Sequence, residues 1–217
     1  MKSMKNVIID SNNSQLEEIE EKYLAKIAPI VNRINNSNLS KKGKLKIIYD
    51  YLVDTCSIDE SFDMDGINQF PNIYGAGITA ANKYGPVLYE KGVCSGFCRA
   101  YIDIAEKCNI NVEMIEGIHQ GFGHGWIMTL ENGEPVHIDV YEGIKYKNGF
   151  ETSKGFKPIV DSSVAFMRTT TELINTGRYR DFQKNMNEAE TKLRNQEGQI
   201  EKKVEYREVQ PGFKVRR

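Results

Sequence analysis

Long apolar runs, a surplus of either charge and C-x2-C cysteine pairs are all missing from this 217-residue chain. No stretch approaches the ~18 consecutive apolar residues that a membrane-spanning helix needs, so no membrane partner is expected. Lysine and arginine total 29 against 30 aspartates and glutamates, a formal net charge of −1. A nucleic-acid-binding surface would declare itself as a basic excess, so nucleic acid is not an expected partner either. The cysteines, Cys56, Cys94, Cys98 and Cys108, include no C-x2-C pair, which removes the usual zinc-ribbon spacing. Met1 to Asp10 carries lysines but no apolar stretch of signal-peptide length. The expectation is therefore a cytoplasmic protein with free thiols. No cofactor and no bound metal are expected.

What is present suffices for one sizeable core: 40% of residues are apolar and 27% are charged. Ser14 to Ile34 reads as an amphipathic helix. Leu16, Ile19, Tyr23, Ile27, Ile30 and Ile34 recur at steps of three and four, and Ser14 with Glu17 fits a capping box. Pro29 predicts a kink or an early end. After a polar linker from Asn35 to Ser40, Leu45, Ile48, Tyr49, Leu52 and Val53 draw one apolar stripe on a helix from Lys41 to Thr55. Cys56 to Gly77 has no periodicity and is read as a long loop, a length that in a compact domain is often functional.

Gly92 to Cys108 reads as a helix after a glycine-valine entry, with Phe97, Ala100, Tyr101, Ile104, Ala105 and Cys108 on one apolar stripe. Val112 to Ile118, His124 to Leu130 and Val136 to Val140 read as strands, the last two joined by an Asn132-Gly133 turn. Helix first and antiparallel strands after gives an α+β fold. Asp161 to Thr176 reads as a further helix closed by Gly177. The tail from Phe182 is polar, with Met186, Leu193 and Ile200 seven residues apart. Three parts follow: a helical extension (1–40), a core (41–180) and a polar helical tail (181–217). The seven-residue stripes of the two extensions predict that these helices pack together or join copies of the chain into a homo-oligomer.

The chemistry gathers at three places. Cys94 stands where a loop enters the first turn of an apolar helix, and unpaired N–H groups and the helix dipole both favour a thiolate there. If Asn132-Gly133 is the hairpin tip, Leu130 pairs with Pro135, Met128 with His137 and Trp126 with Asp139. His124 and Asp139 then share a face as diagonal neighbours, with Cα atoms ~7–8 Å apart. A one-residue slip would separate them. In this register His124 takes the thiol proton and Asp139 fixes its tautomer.

The segment Lys83 to Tyr101, with Gly92-Val93-Cys94-Ser95-Gly96-Phe97 at its centre, resembles the nucleophile segment of bacterial transglutaminase-like proteins. His124-Gly125-Trp126 is similar to that family's histidine strand and His137-Ile138-Asp139-Val140 to its aspartate strand. The resemblance covers roughly Lys41 to Tyr141. It implies a papain/transglutaminase-like core, a nucleophile-bearing helix packed on an antiparallel sheet, with Cys94, His124 and Asp139 as catalytic triad. It implies acyl transfer through a thioester on protein or peptide amides: transamidation, deamidation or amide hydrolysis. Two positions depart from the family pattern. Ile127 stands where asparagine usually follows the tryptophan, and Tyr141-Glu142 where a threonine-tryptophan pair is common.

The residues expected to touch substrate are Trp126, Gly96, Tyr84 and Tyr89. Gly96 lacks a side chain that would block the sulfur. No glutamine lies just before Cys94 as an oxyanion donor, so the Cys94 N–H is assigned that role, with Tyr84 or Tyr89 beside it. Three other uses of these residues compete: Cys98 as a resolving thiol one turn from Cys94, a metal site drawn from Cys94, Cys98, His119, His124 and His137, and a non-catalytic transglutaminase-like scaffold that binds partners.

Overall fold

The computed structural model describes residues 4–60, 80–149 and 161–209, with side chains from 16 to 198. The first helix, α1, runs Met4–Asn35 and so starts ahead of Ser14, which puts the expected capping box inside the helix. Pro29 also lies inside it without ending it. Tyr23 and Ile27 before the proline and Ile34 after it are buried. That packing on both sides offsets a cost of about 3 kcal/mol for an interior proline. The second helix, α2 (Lys41–Thr55), has the predicted bounds. Its first turn is capped by Ser40 Oγ, which accepts from the Gly43 N–H at 3.2 Å. Leu45, Ile48, Tyr49, Leu52 and Val53 are all buried along its predicted stripe.

Most of the expected Cys56–Gly77 loop lies outside the described residues. Its start, β1 (Ser57–Ile58), pairs in parallel with β2 (Lys91–Gly92). A short helix, α3 (Tyr84–Tyr89), precedes β2, and α4 (Cys94–Lys107) follows it. Gly92 belongs to β2 and Val93 is the N-cap, so the expected Gly92-Val93 entry leads into a helix whose first residue is Cys94.

Five strands form one antiparallel sheet: β3 (Glu113–His119), β4 (Phe122–Glu131), β5 (Glu134–Ile138), β6 (Arg168–Thr169) and β7 (Tyr179–Arg180), in the order β6-β5-β4-β3-β7. Asn132 and Gly133, at φ of 53° and 80°, make the tight turn between β4 and β5. The ladder puts Leu130 opposite Pro135 and Met128 opposite His137, the predicted register. Beyond the Ile127–Ile138 pair the chain leaves the sheet. Val140–Asn148 is a helix, α5, so the strand expected to reach Val140 stops two residues short.

Both sheet faces are covered. Met114, Ile127 and Ile138 belong to one core with α1, α2, α4 and α5. Ile115, Trp126, Met128 and Leu130 on the other face form a second core. This second core is closed by α7 (Gln183–Val209), through Ala189 and Leu193. Of the tail's seven-residue stripe, Leu193 and Met186 find their cover on the sheet of their own chain. Arg194 Nη2 adds a hydrogen bond to the Gly133 carbonyl at 2.8 Å.

The single helix expected over Asp161–Thr176 is replaced by a 3-10 turn (Ser162–Ala165), β6 and a short helix, α6 (Thr170–Asn175). Arg168 and Thr169 pair with His137 and Val136 of β5, and Thr169 with Glu172 makes a full capping box for α6. Helices and an antiparallel sheet segregated in this way make an α+β fold. Among the described residues no helix is long and apolar enough to cross a membrane.

Candidate active site

Cys94 is the first residue of α4 and is half-buried. Val93 precedes it in extended backbone and offers no side-chain cap. The Val93 N–H donates to the Ala80 carbonyl at 3.0 Å, and Phe97 N–H is the first to bond back to Val93. The N–H groups of the opening turn are therefore left pointing out of the helix beside the sulfur.

Above Cys94 stands His124, on the two-glycine stretch Gly123-His124-Gly125 of β4. Its Nε2 is 2.8 Å from Asp139 Oδ2. That leaves Nδ1 as the ring nitrogen for the thiol. Asp139 is the N-cap of α5 and accepts from the Glu142 N–H through Oδ1 at 3.0 Å. Its Oδ2 accepts a second bond, from the Tyr179 hydroxyl at 2.8 Å. One buried carboxylate thus caps a helix, orients an imidazole and binds a phenol.

The electrostatics follow from this packing. Burial raises the pKa of Cys94, but the His124 hydrogen bond and charge, helped by the Gly125 N–H, outweigh burial and bring it below the ordinary thiol value. Burial also works against a charged His124, yet the charge and hydrogen bond of Asp139 prevail and raise its pKa. Asp139 is held below the usual carboxylate range: burial alone would raise it, and His124 and the Glu142 N–H pull it down. Each shift favours a thiolate–imidazolium–carboxylate row. Cys56, Cys98 and Cys108 are buried, and burial raises all three thiols.

Two cavities meet at Cys94 and His124. The larger, about 390 Å³, is lined by Asp59, Glu60, His119, Phe122, Tyr141 and Lys145 among others. The smaller, about 230 Å³, opens on the other side past Met114, Glu116 and the three glycines Gly117, Gly123 and Gly125.

The residues expected to touch substrate are not found lining these cavities. Trp126 is buried in the second core, where its indole N–H donates to His137 Nδ1 at 3.1 Å and its ring backs His124 at 5.9 Å. A Cβ on Gly96 would sit 2.0 Å from the Ala80 carbonyl oxygen, so the missing side chain makes room for backbone, not for substrate. The Tyr84 hydroxyl donates to Glu20 of α1 at 2.7 Å. Tyr89, 43% exposed, closes the same short helix.

Sequence reasoning missed Tyr179, Tyr141, Glu142 and Arg178. Glu142, one turn past the cap, accepts from Arg178 Nη1 at 2.6 Å, and Asp-x-x-Glu at a helix start was a readable sign of it. No local signal ties Tyr179 to a carboxylate 40 positions earlier. Among the described residues no three metal-ligating side chains are grouped to hold an ion. Both nitrogens of His137 are engaged, by Trp126 and by Thr170 Oγ1 at 3.0 Å.

His119 and His137 are buried, and burial lowers both pKa values from 6.5 to about 4; for His119 the charges of Asp139 and Glu142 oppose it. Between these values the unfolded chain binds two protons that the folded chain refuses, so stability falls as pH falls from 6.5 to 4. Each histidine contributes a slope of about 1.4 kcal/mol per pH unit. His124, shifted the other way, is protonated in both states below 6.5 and is silent in this window. Urea midpoints are expected to drop between pH 7 and 5, and to drop less in His137→Gln, which keeps an acceptor for Trp126. Equal midpoints in the wild type would mean that neither histidine is held neutral.

No protein-family model matches the chain, and no curated protein does. A solved structure described as "Crystal structure of a TGase" is similar at 13% identity and a TM-score of 0.40, over 64% of this chain. The match spans about a third of that protein's length, 34%.

Proposed function

We propose that this protein is a cysteine-dependent acyl-transfer enzyme with a papain/transglutaminase-like core, acting on protein or peptide amides through a thioester. The observation that carries the reading is the alignment of Asp139 on His124 Nε2 at 2.8 Å, with the remaining ring nitrogen facing a thiol whose pKa is lowered. Cys94 sulfur attacks the amide carbon, and the carbonyl electron pair moves to oxygen. His124 Nδ1 then protonates the leaving nitrogen, the C–N bond breaks, and a thioester remains on Cys94. An acceptor, water or a primary amine, gives its proton to His124 as it attacks, and Cys94 leaves as thiolate. Asp139 keeps Nε2 protonated throughout and balances the imidazolium charge.

The test is mass spectrometry of protein and peptide amides after incubation with the full chain and methylamine. A gain of about one dalton marks deamidation, a methylamine adduct marks transamidation, and chain cleavage marks proteolysis. Any of these, abolished in Cys94→Ala, is the expected result. The same products from Cys94→Ala would remove Cys94 from the chemistry.

A further inference from the structure

We propose that the Tyr141 hydroxyl is a catalytic residue that holds the oxyanion formed when Cys94 attacks a carbonyl, together with the outward N–H groups of the first α4 turn. The inference rests on the reading of Cys94 as nucleophile. Tyr141 lies in the first turn of α5, two residues after Asp139, so the helix start that orients His124 also delivers this phenol. Its ring lines the larger cavity with Cys94 and meets the His124 ring edge-on, centroids 5.4 Å apart.

Its hydroxyl is available. Tyr23, Tyr49, Tyr101 and Tyr179 each donate to a protein acceptor. Among the described residues the Tyr141 hydroxyl takes none, although the ring is half-buried. The group is also a donor under working conditions. Burial first, then the negative charges of Cys94 and Asp139, raise its pKa, so it keeps its proton where Cys94 has lost its own. Lys145, one turn on, holds its ammonium 5.8 Å from the ring centroid and adds positive potential at the same wall.

The balance is simple. As the S–C bond forms, the carbonyl π pair becomes an alkoxide lone pair. Tyr141 stabilises it by hydrogen bond without giving up its proton, and collapse returns the pair to the carbonyl as the leaving nitrogen departs with the proton from His124. The carboxylates of Asp59 and Glu60 on the facing wall cannot serve as donors when ionised. Gln120 can donate, but it sits exposed at the β3–β4 turn, at φ 52°.

Two reagents separate this role from a structural one. p-Nitrophenyl acetate acylates the thiol through a tetrahedral oxyanion; iodoacetamide alkylates it by displacement at a saturated carbon, with no oxyanion. Both rates are followed at Cys94 by peptide mapping in wild type, Tyr141→Phe and Gln120→Ala, with Cys94→Ala as background. In Tyr141→Phe alkylation should keep its wild-type rate while acylation falls about 10²-fold, and Gln120→Ala should match wild type in both. Acylation unchanged in Tyr141→Phe overturns the proposal. So does an equal fall in both rates, which would make Tyr141 a support for His124. The nucleophile reading fails separately and visibly, in the wild type alone, if Cys94 there alkylates no faster than in the urea-unfolded chain.

Discussion

Asp139→Asn is expected to lower Cys94-dependent turnover by about 10⁴-fold, the size of effect this exchange has in a serine triad. The wild-type carboxylate accepts three donors: His124 Nε2, the Tyr179 hydroxyl and the Glu142 N–H. An asparagine has one oxygen for those three. If the oxygen faces Glu142, its NH₂ meets two donors, and His124 must turn Nε2 into an acceptor. The proton then moves to Nδ1, the nitrogen needed to receive one from the thiol. The lost charge also removes the main force that raises the His124 pKa. Iodoacetamide alkylation across pH gives the direct reading. The midpoint for Cys94 should move to higher pH in Asp139→Asn and stay close to wild type in Tyr179→Phe, which keeps the carboxylate. An Asp139→Asn protein that alkylates and turns over like wild type would take Asp139 out of the mechanism.

The joint placement of His124 and Asp139 was legible because it depends on one parameter, the hairpin register, and Asn132-Gly133 sets that register locally. The way Asp139 reaches His124 was not. Period-2 alternation carries on through His137-Ile138-Asp139-Val140, yet Asp139 gives up the ladder for the stronger local competition of a helix cap. Nothing in the alternation distinguishes a strand residue from the N-cap just past it. The burial of Trp126 was not legible for a related reason. Its position on the histidine strand suggested contact with substrate, but the face it shares with Met128 and Leu130 is closed by α7, and the tail's apolar stripe was read toward the other terminal helix or a second copy, not toward this sheet. A narrow stripe, Leu193 with Ala189, is enough to close this face, but a stripe alone does not say which surface it will meet. Tyr179 and Tyr141 illustrate the limit of one-dimensional reading. Each reaches the site through a backbone turn whose direction is set by packing.

Gly96→Ala should unfold the protein at a markedly lower temperature, although alanine is the better helix former by about 1 kcal/mol. The added methyl would lie 2.0 Å from the Ala80 oxygen, 3.0 Å from its carbon and 3.3 Å from the Asn82 oxygen. These are backbone atoms, so no side-chain rotation relieves the overlap. The Ala80 carbonyl also accepts the Val93 N–H at 3.0 Å, and pushing it away releases the segment that sets Cys94 at the head of α4. Overpacking of this kind costs about 1–3 kcal/mol or more. For a chain of this size each kcal/mol lowers Tm by roughly 2–4 °C. Gly198→Ala is the matched comparison: it lies inside α7 with nothing within 4 Å of the new Cβ, so the same exchange should leave Tm level or raise it slightly. Opposite signs from one chemical change isolate the packing of Gly96 from helix propensity. The iodoacetamide rate at Cys94 should also fall in Gly96→Ala, because its first-turn N–H groups and the imidazole no longer meet at one sulfur position. If Gly96→Ala melts with the wild type and only raises KM for substrate, the packing account fails and Gly96 is there to let substrate approach.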